Sequence, residues 1–263
     1  MKKSTLKKVC LFLSSVLIFI LHVPLVFAKS KPFYGIKSLP LRTENFVPGD
    51  SILAVAKVKL LNTTALLYDS MKLNLMGLSQ QTFDYAMKGF NYLVKTGKVA
   101  NDNIISIVDF SMPSSKKRLF VIDLEHYKVV FNTYVAHGVN SGAAIASHFS
   151  NIPQSNQSSL GFYETLNTYS GGHGYSLRLE GLEKGINDNA NRRDIVMHAA
   201  AYVNESLIKA QGYIGRSWGC PAVPENLHKP IIDKIKNGTC LFIYSPDENY
   251  LSHSRILHPN PQI

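Results

Sequence analysis

The stretch Arg216-Ser217-Trp218-Gly219-Cys220-Pro221 decides how this sequence is read, together with His198, which closes Ile195-Val196-Met197 with 21 residues between it and Cys220. Gly219 tolerates backbone angles closed to other residues and Pro221 fixes its own φ, so the pair can present a sulfur from a tight turn. A cysteine attacks as its thiolate, and a nearby imidazole can take the thiol proton, which predicts a thiolate–imidazolium pair poised at neutral pH. Cys220 is the expected nucleophile and His198 the expected base. The alternative is an inert buried cysteine with an unrelated core histidine. A tetrahedral intermediate needs donors for its oxyanion; Pro221 has no N–H, so the amides of Gly219 and Cys220 are the local candidates. Ala199 follows the histidine and has no polar side chain, so a locally oriented imidazole must lean on a backbone carbonyl or on a more distant group.

Around this pair, Arg216, Ser217, Trp218 and His173 are candidate substrate contacts. Arg216 suits bidentate recognition of a carboxylate, although a surface arginine needs no such role. Trp218, the only tryptophan, either walls the site or packs beneath the turn. His173, in Gly172-His173-Gly174, either touches substrate or is a turn residue. No metal and no cofactor is expected. His137, His148, His173 and His198 with Cys220 lack the close ligand-pair spacing of zinc motifs. Asn187-Asp188-Asn189-Ala190-Asn191 reads like a calcium loop, but Ala190 replaces an oxygen ligand and Ala199 falls where the bidentate acid belongs. A serine nucleophile finds no Gly-x-Ser-x-Gly elbow.

The first 28 residues predict a secretory signal: Lys2, Lys3, Lys7 and Lys8, then the apolar run Val9 to Phe27, then Ala28 as the cleavage point. A retained anchor is the alternative; His22 and Pro24 within the run favour cleavage and no stable membrane insertion afterwards. Cys10 leaves with this segment. Its loss lowers the formal net charge from +10 to +6. The remaining lysines are scattered, without the motifs of nucleic-acid modules, so the charge suits an anionic polymer surface and no nucleic acid is expected. The mature chain of about 235 residues can bury a core without staples. Of its two cysteines, Cys240 lies in an apolar strand as a structural thiol and Cys220 is left free.

Residues 29–60, with Pro32, Pro40 and Pro48, read as an irregular lead-in. Residues 61–246 read as one catalytic domain. It opens with a helical hairpin, Leu66 to Met76 and Thr82 to Val94, turning near Gly77, with Ser79 as a cap. Ile104 to Phe110, Arg118 to Asp123 and Lys128 to Ala136 predict an antiparallel meander, and His137 opens a long polar loop. Gly161 to Tyr169 and Gly174 to Gly181 predict a hairpin around Ser170-Gly171-Gly172-His173. Ala199 to Gln211 is a helix or ordered loop stopped by Gly212, Pro224 to Lys236 is a helix, and Thr239 to Tyr244 is the last strand. Residues 247–263 read as a loose tail.

The ordered series Val108-Asp109-Phe110-Ser111, Arg118-Leu119-Phe120-Val121-Ile122-Asp123, Val135-Ala136-His137-Gly138, Ser158-Ser159-Leu160-Gly161, Ile195-Val196-Met197-His198 and Gly215-Arg216-Ser217-Trp218-Gly219-Cys220-Pro221 resembles a divergent branch of the YkuD-type murein L,D-transpeptidases. Two departures stand out: Trp218 sits where the main branch has histidine, and Pro221-Ala222 replaces the usual apolar residue and polar partner. The resemblance implies a mainly β domain with flanking helices (α+β), a curved β-sandwich with its site in a cleft. It implies Cys220 as acylated nucleophile, His198 as base and the Ala199 carbonyl as its orienter. The implied partner is a peptidoglycan stem tetrapeptide, attacked at its third residue with release of D-alanine. An amine acceptor then gives a 3→3 cross-link, and water gives an L,D-carboxypeptidase. An exported location, periplasm or cell wall, follows. Competing expectations are a non-catalytic wall-binding protein and a cysteine peptidase acting on L-peptides.

Overall fold

The computed structural model describes residues 63–259. The expected signal segment and lead-in, residues 1–28 and 29–60, lie outside the described residues. Residues 63–70 are helical and lead through a 3-10 turn, Leu73–Met76, to helix α1, Gln80–Lys95. The expected first helix is interrupted at Lys72, whose φ of 53° is left-handed, and the chain reverses at Gly77 with φ 90°. Ser79 caps α1, its Oγ accepting from the Thr82 amide at 3.0 Å. Phe83, Met87 and Phe90 recur on one face of α1 and are buried. At Gly89 the helix comes so close to the sheet that a Cβ would overlap the Phe162 ring.

Eight strands follow: β1 Ile104–Asp109, β2 Leu119–Asp123, β3 Lys128–Thr133, β4 Gly161–Gly171, β5 Gly174–Gly181, β6 Val196–Ala199, β7 Ala222–Val223 and β8 Cys240–Tyr244. The meander β1–β2–β3 and the hairpin β4–β5 form as their apolar runs predict. Between β6 and β7 lies helix α2, Glu205–Gln211, capped by Asn204 and stopped by Gly212 at φ 87°. Between β7 and β8 lies helix α3, Glu225–Ile235. Both α1 and α3 pack on β1, every residue of which is buried, so its near-continuous apolar run reflects cover on two faces.

The architecture is mixed α+β, but the strands do not split into the two layers of the expected sandwich. They make one sheet in the order β3-β2-β1-β8-β4-β5-β6-β7. Its stitch is β8, parallel to β1 on one side and antiparallel to β4 on the other. Just past β3, Ala136 bridges Ala222 of β7, so the two edges meet and the sheet approaches a barrel. Closure gives both edges a partner, which a sandwich would leave open.

The segment expected as a loose tail is also ordered. Helix α4, Glu248–His253, is capped by Asp247, and Tyr250, Ile256 and Leu257 are buried. The anchor is the buried Glu183, which accepts hydrogen bonds from the Tyr250 hydroxyl at 3.2 Å, the Phe162 amide at 2.9 Å and the Ser254 hydroxyl. Polar residues and prolines dominate this stretch in sequence, and the partner that orders it stands some seventy positions upstream. No helix of the described residues is long and apolar enough to cross a membrane.

Candidate active site

The Cys220 turn is held from below by blocks far apart in sequence. The Ser217 amide donates to His137 O at 2.9 Å and the Val139 amide donates to Ser217 O at 2.7 Å. Within the turn, Ser217 Oγ donates to Cys220 O at 2.7 Å and accepts from the Gly219 amide at 3.1 Å. Gly219 has φ +125°, and a Cβ there would lie 2.8 Å from Gln157 O, so glycine is required both by conformation and by space. Underneath sits Arg118, fully buried. Its guanidinium donates to Val135 O and Met112 O, and through Nη2 to His137 Nδ1 at 2.7 Å. His137 in turn donates from Nε2 to Gly142 O at 3.1 Å. Burial, with the neighbouring Arg118 charge, lowers the His137 pKa to about 4, so this imidazole is a neutral strut. Burial also lowers Arg118 to about 9, against the opposing pull of Asp109.

Cys220 and His198 open onto one cavity of about 550 Å³. His198 sits on β6, beside β7, with register His198↔Ala222, which brings the base next to the strand that leaves the nucleophile turn. Its Nδ1 lies 2.8 Å from Ala199 O. A carbonyl only accepts, so the proton is on Nδ1 and Nε2 is left as an acceptor. Burial lowers the His198 pKa, opposed by the Ala199 hydrogen bond and assisted by His173. Burial likewise raises the Cys220 thiol, opposed by the Val196 amide and Arg193. Both shifts run toward the uncharged forms, thiol and imidazole, and against the thiolate–imidazolium pair. The thiol donates to Asp194 O and its sulfur accepts from the Val196 amide, each at 3.5 Å, and it makes no hydrogen bond to His198.

The remaining predicted residues divide. His173, at the tip of the β4–β5 hairpin, is in the cavity, its ring stacked on that of His198 with centroids 4.3 Å apart and planes at 22°. Trp218 stands at the rim, 79% exposed, and does not pack under the turn. Ser217 also lines the cavity, with its hydroxyl hydrogen-bonded within the turn. The Gly219 amide, expected in the oxyanion hole, is occupied by the same hydroxyl; the Cys220 amide donates to no protein acceptor among the described residues. Arg216 reaches the cavity, yet Nη1 donates to Gly142 O at 3.1 Å and Val139 O at 3.4 Å. His148 lies elsewhere, against Ser147, and His137 is enclosed with Arg118, so of the four histidines His173 and His198 share the cavity with Cys220.

Sequence reading missed Arg193, Asp194, Tyr169 and Tyr202, all of which line the cavity. Arg193 clamps the loop facing the cysteine: Nη1 donates to Ser150 O and Ser159 Oγ, each at 2.6 Å, and Nη2 to Gln157 O at 2.6 Å and Ser155 Oγ at 3.2 Å. The only available signal was its position immediately upstream of β6, within the segment that delivers His198. Tyr202 returns to the cavity because the chain turns back after β6; burial and Cys220 raise its pKa to about 12.

The chain is similar to an L,D-transpeptidase from Mycobacterium smegmatis (12% identity, 54% of this chain and 59% of that one, TM-score 0.34). It is similar to the helical cell shape determining protein of Campylobacter jejuni (16%, 62% and 57%, TM-score 0.38). It is also similar to an L,D-transpeptidase from Stackebrandtia nassauensis (14%, 61% and 66%, TM-score 0.34). Each match spans less than two thirds of the other chain. No curated protein matches by sequence. The family model for the L,D-transpeptidase catalytic domain, YkuD_2, matches residues 75–244, and by that match over more than half its length the chain belongs to the L,D-transpeptidase catalytic domain family.

Proposed function

We propose that the protein is an exported, cysteine-dependent L,D-transpeptidase that acts on peptidoglycan stem tetrapeptides. The observation that carries the reading is the His198 tautomer. With Nδ1–H committed to Ala199 O, a basic Nε2 is left in the cavity that Cys220 also lines. Family membership supplies the substrate class.

On this reading Cys220 Sγ turns from Asp194 O and passes its proton to His198 Nε2 as the Sγ–C bond forms at the carbonyl of the third stem residue. The Cys220 amide faces the developing oxyanion. Collapse breaks the C–N bond, and the His198 proton leaves with the D-alanine amine. An acceptor amine from another stem then gives its proton to His198 while attacking the thioester, and C–S cleavage regenerates the thiol and a 3→3 cross-link. Water in place of the amine makes the same site an L,D-carboxypeptidase.

Incubating the protein and its Cys220→Ala variant with disaccharide-tetrapeptide, followed by mass spectrometry, tests this. A Cys220 acyl adduct with cross-linked dimers and free D-alanine is expected for the wild type and none for the variant. Adduct with tripeptide alone would make it a carboxypeptidase, and absence of adduct with every acceptor tried would sink the reading.

A further inference from the structure

The β4–β5 hairpin runs past its neighbour. β5 pairs with β6 only at Leu177↔Met197 and Arg178↔Val196, so the turn Gly172-His173 overhangs the end of β6 where His198 sits. Gly174, at φ +71°, permits this tight reversal. The overhang is braced. The Tyr175 hydroxyl donates to Asp233 Oδ1 on α3 at 2.7 Å, Lys229 lies over the Tyr175 ring at 5.3 Å, and Arg178 stacks on Tyr169 at 4.3 Å. The tip therefore delivers a second imidazole onto the face of the first, in near-parallel stacking. The edge of His198 is fixed by Ala199 O and its face by His173.

We infer that His173 is a positioning residue that pairs with His198, holding the base's ring plane and coupling its protonation to a second imidazole on the hairpin tip. The inference rests on the reading of His198 as the base. Two imidazoles in face contact cannot both carry charge cheaply, and His173 adds to burial in lowering the His198 pKa. The other charged and titratable groups around them are Cys220, Arg193, Asp194, Arg216, Tyr169 and Tyr202. None of these stacks on the His198 ring; only His173 does.

The test is an NMR titration of the His198 imidazole in the intact chain, assigned by the resonance lost in His198→Asn, in three backgrounds. Relative to wild type, His173→Phe keeps a ring and removes the charge, so the His198 midpoint moves to higher pH. His173→Lys places a fixed positive charge at the tip and moves it to lower pH. In parallel, the acid limb of Cys220 acylation is expected to follow the His198 midpoint, moving to higher pH in His173→Phe and to lower pH in His173→Lys. His173→Ala, which uncovers the ring, is expected to lose about tenfold in acylation rate at its plateau, recovered by His173→Phe. A His198 midpoint that is the same in wild type, His173→Phe and His173→Lys overturns the pairing. The titration needs no substrate, so midpoints that move as stated without muropeptide turnover uphold the pairing while removing the transpeptidase assignment.

Discussion

Gly219→Ala should damage the nucleophile turn in a way that can be worked out in advance. At φ +125° a side chain is strained, at a cost of about 1–3 kcal/mol. The new Cβ would also meet Gln157 O at 2.8 Å and Ile195 Cδ1 at 3.1 Å. The first contact is backbone and cannot swing aside, adding about 1–3 kcal/mol of overpacking. A total of about 4 kcal/mol corresponds to a fall in Tm of roughly 8–16 °C for a domain of this size. Relief comes only by shifting the turn, and a displacement of the sulfur near 1 Å costs about a hundredfold in a positioned reaction. Gly212→Ala separates the two causes, because Gly212 has φ +87° with open space around its missing Cβ and so carries strain alone. Calorimetry gives Tm for both variants, and single-turnover mass spectrometry gives the rate of Cys220 acylation. Gly219→Ala should lose more stability than Gly212→Ala and should alone lose the acylation rate. Equal Tm losses with an unchanged rate would refute the argument that the turn is locked by close approach.

Alkylation of Cys220 in the free protein should climb through and beyond the ordinary thiol range as pH rises, because burial raises that thiol. A plateau already reached below neutral pH would show a preformed ion pair. Arg193→Ala removes four hydrogen bonds from the 150–159 loop and should cost about 2–4 kcal/mol in urea unfolding, with new protease nicks confined to that loop; an unnicked loop would deny the clamp. Arg118→Met leaves the Val135 and Met112 carbonyls and His137 Nδ1 unpaired and should cost about 3–5 kcal/mol, read from the urea midpoint. Tyr250→Phe should cost about 1–2 kcal/mol by the same assay, whereas a value near zero would detach α4 from Glu183.

What the sequence discloses and what it hides follow from the range of the interactions involved. The second helix of the hairpin, the meander and the β4–β5 pair are legible because periodicity, caps and turn glycines act over a few residues; Ser79 and Gly212 do in the structure what their residue types promise. Strand β7 is two residues long and has no periodicity to read. The closure at Ala136 and Ala222 joins alanines that carry no directional signal, so a sandwich and a nearly closed sheet look alike in one dimension. The order in α4 depends on Glu183, and a buried carboxylate in sequence is indistinguishable from a solvated one. In the site, the proximity of Cys220 and His198 was readable from their residue types and turn. The occupation of the Gly219 amide by Ser217 Oγ was not, because it depends on a side-chain rotamer inside the turn.

The shifts of Cys220 and His198 toward their uncharged forms bear on how such a site avoids wasting its own reactivity. A thiolate held permanently against an imidazolium would react with any electrophile and oxidant outside the cell, where this chain is expected to work. Here burial pushes the thiol up and the imidazole down, and the thiol is parked on Asp194 O instead of on His198. On the proposed mechanism, proton transfer then has to accompany attack on a bound carbonyl, with the Cys220 amide free to meet the oxyanion as it forms. The Arg118–His137–Gly142 strut serves the same end, since it spans the blocks around the turn with neutral and cationic donors that never compete for the nucleophile's proton. Arg193, whose positive charge opposes burial at the thiol, is tied to two carbonyls and two hydroxyls of one loop. Its pull on the thiol is therefore fixed in place and outweighed by burial.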